Sequence, residues 1–293
     1  MPITNLPHNF PALDILRKEG IAVCAKAKST PLKVAILNLM PIKITTEADL
    51  IRLLSNSPLA IELDFIRLET HVSKNTSAEH LNTFYKPFSA IKNEKYDGCI
   101  VTGAPVELLP FEEVTYWHEL TGIFDWARTN VTSTFYICWG AQAALNHFYG
   151  IPKYTLNKKM SGVFKHTVND PTLPLFRGFD DEFYAPHSRH TTVYADDIRK
   201  CAELTLLSES DEAGVSIVSS RNGRDIYATG HSEYEPLTLH EEYVRDTAKG
   251  LDSMEMPKHY YPNDDPTKKP VVKWCAHANL LIVNWLNWFV RGE

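Results

Sequence analysis

Short apolar runs alternate with stretches of helical spacing through the first half of the chain. Val34-Ala-Ile-Leu37, Ile61-Glu-Leu-Asp-Phe-Ile-Arg-Leu68, Gly98-Cys-Ile-Val101 and Thr134-Phe-Tyr-Ile137 read as strands, with helical segments at about 46–56, 79–92 and 113–129 between them. Strands separated by helices belong to a parallel sheet covered on both faces, so the pattern predicts an α/β protein with a mostly parallel, doubly wound sheet. Thr46-Glu-Ala-Asp49 has the form of a capping box at the start of the first such helix. From about 181 to 230 the pattern turns strand-rich, and Leu237 to Lys249 reads as a helix. Residues 251–272, with Pro257, Pro262, Pro266 and Pro270, form an irregular excursion. The apolar run Ala278 to Val290, broken by Asn279, Asn284 and Asn287, predicts a helix docked through Trp285, Trp288 and Phe289. Neither a repeat nor a linker divides the chain. A single domain over residues 1–293 is expected, with an N-terminal arm to about 30 and the docked C-terminal helix at about 276–291.

Composition narrows the function classes. A chain of 293 residues, 44% hydrophobic and 23% charged, can bury a large core. Its net charge of −6, with scattered Lys and Arg, gives no footprint for nucleic acid or an anionic membrane, and a small-molecule partner is expected. Five cysteines, Cys24, Cys99, Cys138, Cys201 and Cys275, contain no Cys-x-x-Cys pair, so neither a disulfide framework nor a zinc knuckle is indicated. The N-terminus lacks the pattern of a signal peptide, and no run approaches 18 apolar residues. A cytoplasmic protein without metal or cofactor is expected.

The candidate chemistry falls at the carboxyl ends of the predicted strands, where open α/β sheets bind ligands. Cys138 stands where Val131-Thr-Ser-Thr-Phe-Tyr-Ile137 gives way to the helix-prone Trp139-Gly-Ala-Gln-Ala-Ala-Leu145. The free N–H groups opening that helix favour negative charge on the sulfur. A single cysteine beside a sheet is often only a small core residue, but Trp139-Gly140 suits a tight turn with a ligand-facing N–H. Gly230-His231-Ser232-Glu233 follows another strand-like run, and in an extended segment His231 and Glu233 point the same way. Cys138, His231 and Glu233 therefore read as a nucleophile, base and orienting carboxylate. Other positions leave alternatives open. Lys43 is either a surface lysine or a charge presented to an oxyanion. His187-Ser188-Arg189-His190 reads as a polar ligand-binding loop or a solvated turn rather than a metal site. Arg245 either pairs with a helical neighbour or clamps a substrate carboxylate.

Several separated motifs together resemble the homoserine O-acyltransferases of the MetA type. They are Asn38-Leu-Met-Pro41 with Lys43 and Thr46-Glu47, Thr102-Gly-Ala-Pro105, Cys138-Trp139 with Gln142-Ala-Ala-Leu145, Tyr149-Gly-Ile-Pro152, Arg177-Gly-Phe-Asp-Asp181, Ala185-Pro-His-Ser-Arg189, Gly230-His231 and Asn284-Trp-Leu-Asn287. The resemblance runs from about residue 1 to 291 and implies a fold like that of class I glutamine amidotransferases, a flavodoxin-like α/β architecture. One departure is Tyr136, where amidotransferases usually carry Gly two residues before the nucleophile, which argues against glutamine hydrolysis.

The resemblance also implies roles. Cys138 would take the acyl group from an acyl-CoA co-substrate, His231 would act as general base on the homoserine hydroxyl, and Glu233 would orient His231. Trp139 N–H and the loop carrying Lys43 would hold the oxyanion, Arg245 the homoserine carboxylate, and Lys159 and Ser188 would help place substrate. The family divides between succinyl and acetyl donors at the second position after the Gly-Ala-Pro turn. Gly there leaves room for a succinyl carboxylate, and Glu fills and repels it. This chain has Glu107, so the expectation is L-homoserine with acetyl-CoA in a homodimeric enzyme, a succinyl donor being the alternative. The non-enzymatic alternative, an amidotransferase-like binding module, is disfavoured by the intact Cys138, His231 and Glu233.

Overall fold

The computed structural model describes residues 3–21, 30–73, 75–249 and 255–291. Cys24, most of the C-terminal part of the arm and the first part of the 251–272 excursion lie outside them. The first half contains α1 (Ala12–Lys18), β1 (Leu32–Leu37), α2 (Lys43–Ser55), β2 (Ile61–Arg67), α3 (Ala78–Phe84), β3 (Tyr85–Pro87), α4 (Phe88–Ile91), β4 (Tyr96–Val101), α5 (Trp117–Asn130), β5 (Val131–Ile137) and α6 (Trp139–Tyr149). The second contains β6 (Tyr154–Val168), β7 (Glu182–Thr192), α7 (Ala195–Lys200), β8 (Leu204–Ser210), β9 (Gly214–Ser220), β10 (Asp225–Ala228), α8 (Thr238–Ala248) and α9 (Cys275–Trp285). The strands form one sheet in the order β3-β2-β1-β4-β5-β10-β9-β8-β6-β7. From β3 to β10 neighbours are parallel, and from β10 to β7 they are antiparallel. The chain winds from β1 one way to β2 and then the other way to β4, so the crevice at the carboxyl ends of β1 and β4 is the switch point where such sheets take ligands.

Side chains alternate across the parallel strands as their period of two requires. Val34, Ile36, Ile100, Phe135 and Ile226 join α2 and α9 on one face, and Ala35, Leu37, Val101, Tyr136 and Tyr227 join α5 and α6 on the other. Tyr136 lies opposite Tyr227 in the β5–β10 register and stacks on it, centroids 5.1 Å apart. The arm is tied to β2 by Thr4 N–H to the Ile61 carbonyl at 2.9 Å and by paired bonds between Asn5 and Leu63.

Four expectations need correction. The segment 79–92 is not one helix, because Pro87 favours extended backbone before it and Tyr85–Pro87 pairs with β2. Thr46-Glu-Ala-Asp49 is not a cap: α2 already starts at Lys43, and the Thr46 hydroxyl bonds back to the Ile42 carbonyl while Glu47 is buried against His80 and Tyr85. His187-Ser188-Arg189-His190 is neither loop nor turn but lies within β7, where the odd-numbered residues are buried. Of the three aromatics expected to dock the C-terminal helix, Trp285 and Phe289 pack on the core, whereas Trp288 is 38% exposed beside the Arg177 guanidinium. The fifteen-residue β6 also escapes a simple apolar reading, since its first half is largely exposed.

Trp285 closes one face of the sheet. Its indole is fully buried, donates to the Ser133 hydroxyl at 2.9 Å, and lies 3.1 Å from where a Cβ on Gly98 would stand. Trp285→Ala should cost about 3–5 kcal/mol, lowering the urea midpoint without abolishing cooperative unfolding. A loss below about 1 kcal/mol would mean that the face closes without the indole.

Candidate active site

Cys138 sits between the end of β5 and the first residue of α6, with φ 49° and ψ −116°. A non-glycine residue in this region carries roughly 1–3 kcal/mol of strain, sustained by the packing around it. The strand continues through the turn, because Cys138 N–H donates to the Ala228 carbonyl of β10 at 2.7 Å. Gly140 makes the close approach possible: a Cβ there would stand 2.6 Å from the Thr102 carbonyl oxygen. The sulfur-bearing residue is thus held at the start of a helix, over the loop that follows β4.

His231 follows the end of β10 and is buried. It shares the cleft with Cys138, whose charge acts on it, while its Nδ1 lies 2.6 Å from Glu233 Oε1. Burial alone would strip its proton, but the charges of Cys138 and Glu233 outweigh that effect and hold its pKa well above the ordinary imidazole range. Tyr234 stacks on the ring at 4.2 Å and donates its hydroxyl to Glu242 at 2.9 Å. Glu242 also accepts from the Ser188 hydroxyl, and the Lys159 ammonium lies between Glu242 and Asp246, 3.0 Å from the latter. Arg245 pairs with Asp246 at 2.7 Å and keeps about half of its side chain exposed. All of these groups except Glu233 line one cleft of about 370 Å³, which also includes Met40, Pro41, residues 103–109 and His190.

Two groups of expected residues separate here. Cys138, His231, Lys159, Ser188, Arg245 and Glu107 converge on the cleft, with Trp139 beginning the helix behind Cys138 and Glu233 behind His231. The Lys43 ammonium instead bonds the Asn38 carbonyl and lines a neighbouring cavity. Glu107 turns its carboxylate to β7, accepting from His190 N–H at 2.8 Å and Thr191 N–H at 3.3 Å.

The sequence reading missed Arg189 as a site residue. It is fully buried in β7, and its guanidinium donates only to neutral groups: His187 Nδ1, the Thr229 hydroxyl, Thr192 and the Ala213 carbonyl. Burial lowers its pKa to about 10, and the negative groups acting against that are Cys138 and Glu107. Because arginine only donates, His187 Nδ1 is the acceptor. His187 Nε2 then donates to His166 Nε2 at 2.9 Å. No apolar alternation in the sequence marks Arg189 as inside, because the buried positions of this strand include His187 and Arg189 themselves.

The family model described as homoserine O-succinyltransferase matches residues 2–293. The chain belongs to this family. Among relatives, a homoserine O-acetyltransferase of Bacteroides fragilis is 59% identical, with 100% of this chain and 97% of that protein covered. Those of Acetivibrio thermocellus and Brevibacillus brevis are 56% and 54% identical over the same shares of each chain. Solved glutamine amidotransferases share the fold: that of Thermotoga maritima has a TM-score of 0.57 at 12% identity, covering 90% of this chain and 100% of its own, and that of Methylobacillus flagellatus 0.55 at 11%, covering 88% and 94%. Among the described residues no group of three His, Cys, Asp or Glu side chains is placed to hold a metal ion, and no helix is long and apolar enough to cross a membrane.

The buried histidine pair gives the family member a measurable acid sensitivity. Burial, then the Arg189 charge, lowers His166 to about 3 and His187 well below 6.5, so both stay neutral in the fold. In the unfolded chain each takes a proton near pH 6.5. Above that pH they are indifferent to folding, and below it each favours the unfolded state by up to about 1.4 kcal/mol per pH unit. Asp49, whose carboxyl burial raises to about 8, already holds its proton in the fold over the same range while the unfolded carboxylate does not, and works the other way. The difference between proteins isolates the histidine effect: between pH 6.5 and 5, His166→Gln should lose stability less steeply than wild type, by roughly 1 kcal/mol per pH unit. Parallel stability curves from urea titrations would contradict the neutral pair.

Proposed function

We propose that this protein is a homoserine O-acetyltransferase that works through an acetyl-Cys138 intermediate. The observation carrying the reading is the relay Cys138–His231–Glu233, set on a strained turn in a cleft whose far wall holds the Glu107 carboxylate. Cys138 sulfur attacks the thioester carbonyl of acetyl-CoA, and the carbonyl oxygen takes up the negative charge, facing Trp139 N–H and the loop of Met40 and Pro41 that leads into α2. The CoA thiolate leaves with the proton held on His231, and the acetyl group stays on sulfur. Homoserine then enters, its hydroxyl gives its proton to His231 and attacks the acyl-enzyme, and Cys138 leaves as thiolate beside the reformed imidazolium. O-acetylhomoserine is released. Arg245, on the cleft wall with half of its side chain free, suits the homoserine carboxylate, while Lys159 and Ser188 place the acceptor together with Glu242. This chemistry belongs in the cytoplasm, where acetyl-CoA is made and thiols stay reduced.

Donor choice rests on Glu107. Its carboxylate, tied to β7 backbone N–H groups, puts bulk and negative charge where a succinyl donor would bring a second carboxylate. The buried Arg189 charge acts on it from β7, and Glu107 in turn helps to offset that charge. The Bacteroides fragilis relative, a homoserine O-acetyltransferase, agrees with this assignment.

Incubation with acetyl-CoA and no acceptor should leave an acetyl mass on the peptide containing Cys138, and Cys138→Ala should abolish both adduct and transfer. Transfer by Cys138→Ala would remove the covalent route. Glu107→Gly, which uncovers the charge of Arg189, should raise kcat/KM for succinyl-CoA by at least about tenfold and lower the preference for acetyl-CoA, because a relieved like-charge contact is worth more than about 1.4 kcal/mol. Wild-type protein faster with succinyl-CoA than with acetyl-CoA would reverse the donor assignment.

A further inference from the structure

Beside the catalytic cleft lies a second cavity, of about 210 Å³, at the carboxyl ends of β1 and β2. Lys43, Arg67, Asn38 and Tyr116 are among its walls. Among the described residues its two cations form no ion pair within 4 Å. Lys43 is buried, with no described carboxylate within 4 Å, and burial lowers its pKa to about 8 against a weaker pull from Glu47. Arg67 forms no ion pair among the described residues, and its Nε is shielded from solvent without a hydrogen-bond partner. Glu69 at the rim is occupied elsewhere, accepting from the Ser89 N–H at 2.8 Å and its hydroxyl at 3.0 Å. The thirteen-residue α2 starts at Lys43 with no side-chain cap and no acidic residue in its first turn, so its N–H groups add to the same positive field.

Two other cavities of the molecule set their cations beside carboxylates. The one by the β6 edge holds Lys158 and Lys258, but Lys158 is paired with Glu255, and Glu212 lies in the same wall. The one at the amino ends of β5 and β10 sets Arg128 against Asp225. Partly desolvated cations without partners are costly, and a cavity that gathers two of them at a helix start is complementary to a phosphate.

The position relates this cavity to the cleft. One loop separates them: Asn38, Leu39 and Lys43 line the cavity, whereas Met40 and Pro41 line the cleft, and Ile42 on the ridge between is 58% exposed. The strands run β5-β4-β1-β2, so three spacings of about 4.8 Å, roughly 14 Å, separate the strand carrying Cys138 from the one carrying Arg67. An acyl-CoA has its thioester at one end and its phosphates at the other, joined by an extended, uncharged pantetheine arm of comparable reach. We propose that this cavity binds the phosphate end of the acyl-CoA donor, with the arm lying across the Ile42 ridge and the thioester at Cys138. The proposal rests on the acyl-CoA reading given above.

Kinetics with two donors test it. Acetyl-CoA and S-acetylpantetheine carry the same thioester, and only the first carries the nucleotide phosphates. Arg67→Gln should raise KM for acetyl-CoA about tenfold, the loss of one charge-assisted hydrogen bond, while kcat and the parameters for S-acetylpantetheine stay near wild type. Arg67→Lys should recover part of the loss. Unchanged KM for acetyl-CoA, or an equal loss with both donors, would overturn the site. Calorimetry with adenosine 3′,5′-bisphosphate, which cannot react, separates the two readings. Binding to wild type and weakened binding to Arg67→Gln supports the cavity even if neither thioester is turned over, a result that would sink only the donor assignment. Absence of binding to wild type would overturn the proposal outright.

Discussion

The parallel pairing of β5 with β10 sets the geometry on which the site depends. Thr134 to Ile137 run beside Asp225 to Ala228, and the ladder extends one bond further into the turn through Cys138 N–H and the Ala228 carbonyl. Because Cys138 follows one strand and His231 follows its neighbour, their separation is inherited from the spacing of two hydrogen-bonded backbones. The Tyr136–Tyr227 stack locks the same pair from the opposite side of the turn. A glycine two residues before the nucleophile would leave this stack unmade, so the tyrosine is a structural partner of β10 as well as a departure from the amidotransferase pattern. The strained backbone at Cys138 is supported by that pairing and by the contact of Gly140 with the Thr102 carbonyl.

Charge inside the molecule is arranged around one buried cation. Arg189 receives neutral acceptors on its own strand and on the loops beside it, and its field reaches Cys138 and Glu107. A buried guanidinium in direct contact with a carboxylate would be largely cancelled; one ringed by neutral groups projects its charge toward the cleft. His166 and His187 stay neutral through burial first and the Arg189 charge second, so the strand behaves as a fixed electrostatic wall rather than a proton relay.

The parallel half of the fold was legible in the sequence because its strands are apolar on both faces and are punctuated by helices: the four runs ending at Leu37, Leu68, Val101 and Ile137 all became strands. The turn at Cys138 and the His-x-Glu after β10 were legible from residue type and spacing. The antiparallel half was less so. Half of β6 faces solvent, and the polar string around His187 masks a strand whose buried side carries histidine and arginine satisfied by one another. Residue-level polarity reports exposure only when the polar groups lack internal partners, and Arg189 has them. Thr46 and Glu47 misled in the same way: both suit a helix start, but their bonds go to Ile42 and to Tyr85 and His80 across the packing interface.

The hairpin of β6 and β7 stands at the end of the sheet, yet it delivers Lys159, Ser188 and His190 to the cleft wall, with a register irregularity between Thr155 and Met160. A terminal strand has a neighbour on one side only, so chain insertions and bulges are absorbed there with little disturbance to the rest of a sheet. One wall of the cleft is thereby built on the end of the sheet, while Cys138 and His231 follow central strands. Changes to that wall can therefore alter what the cleft admits without disturbing the β5–β10 pairing that places Cys138 and His231.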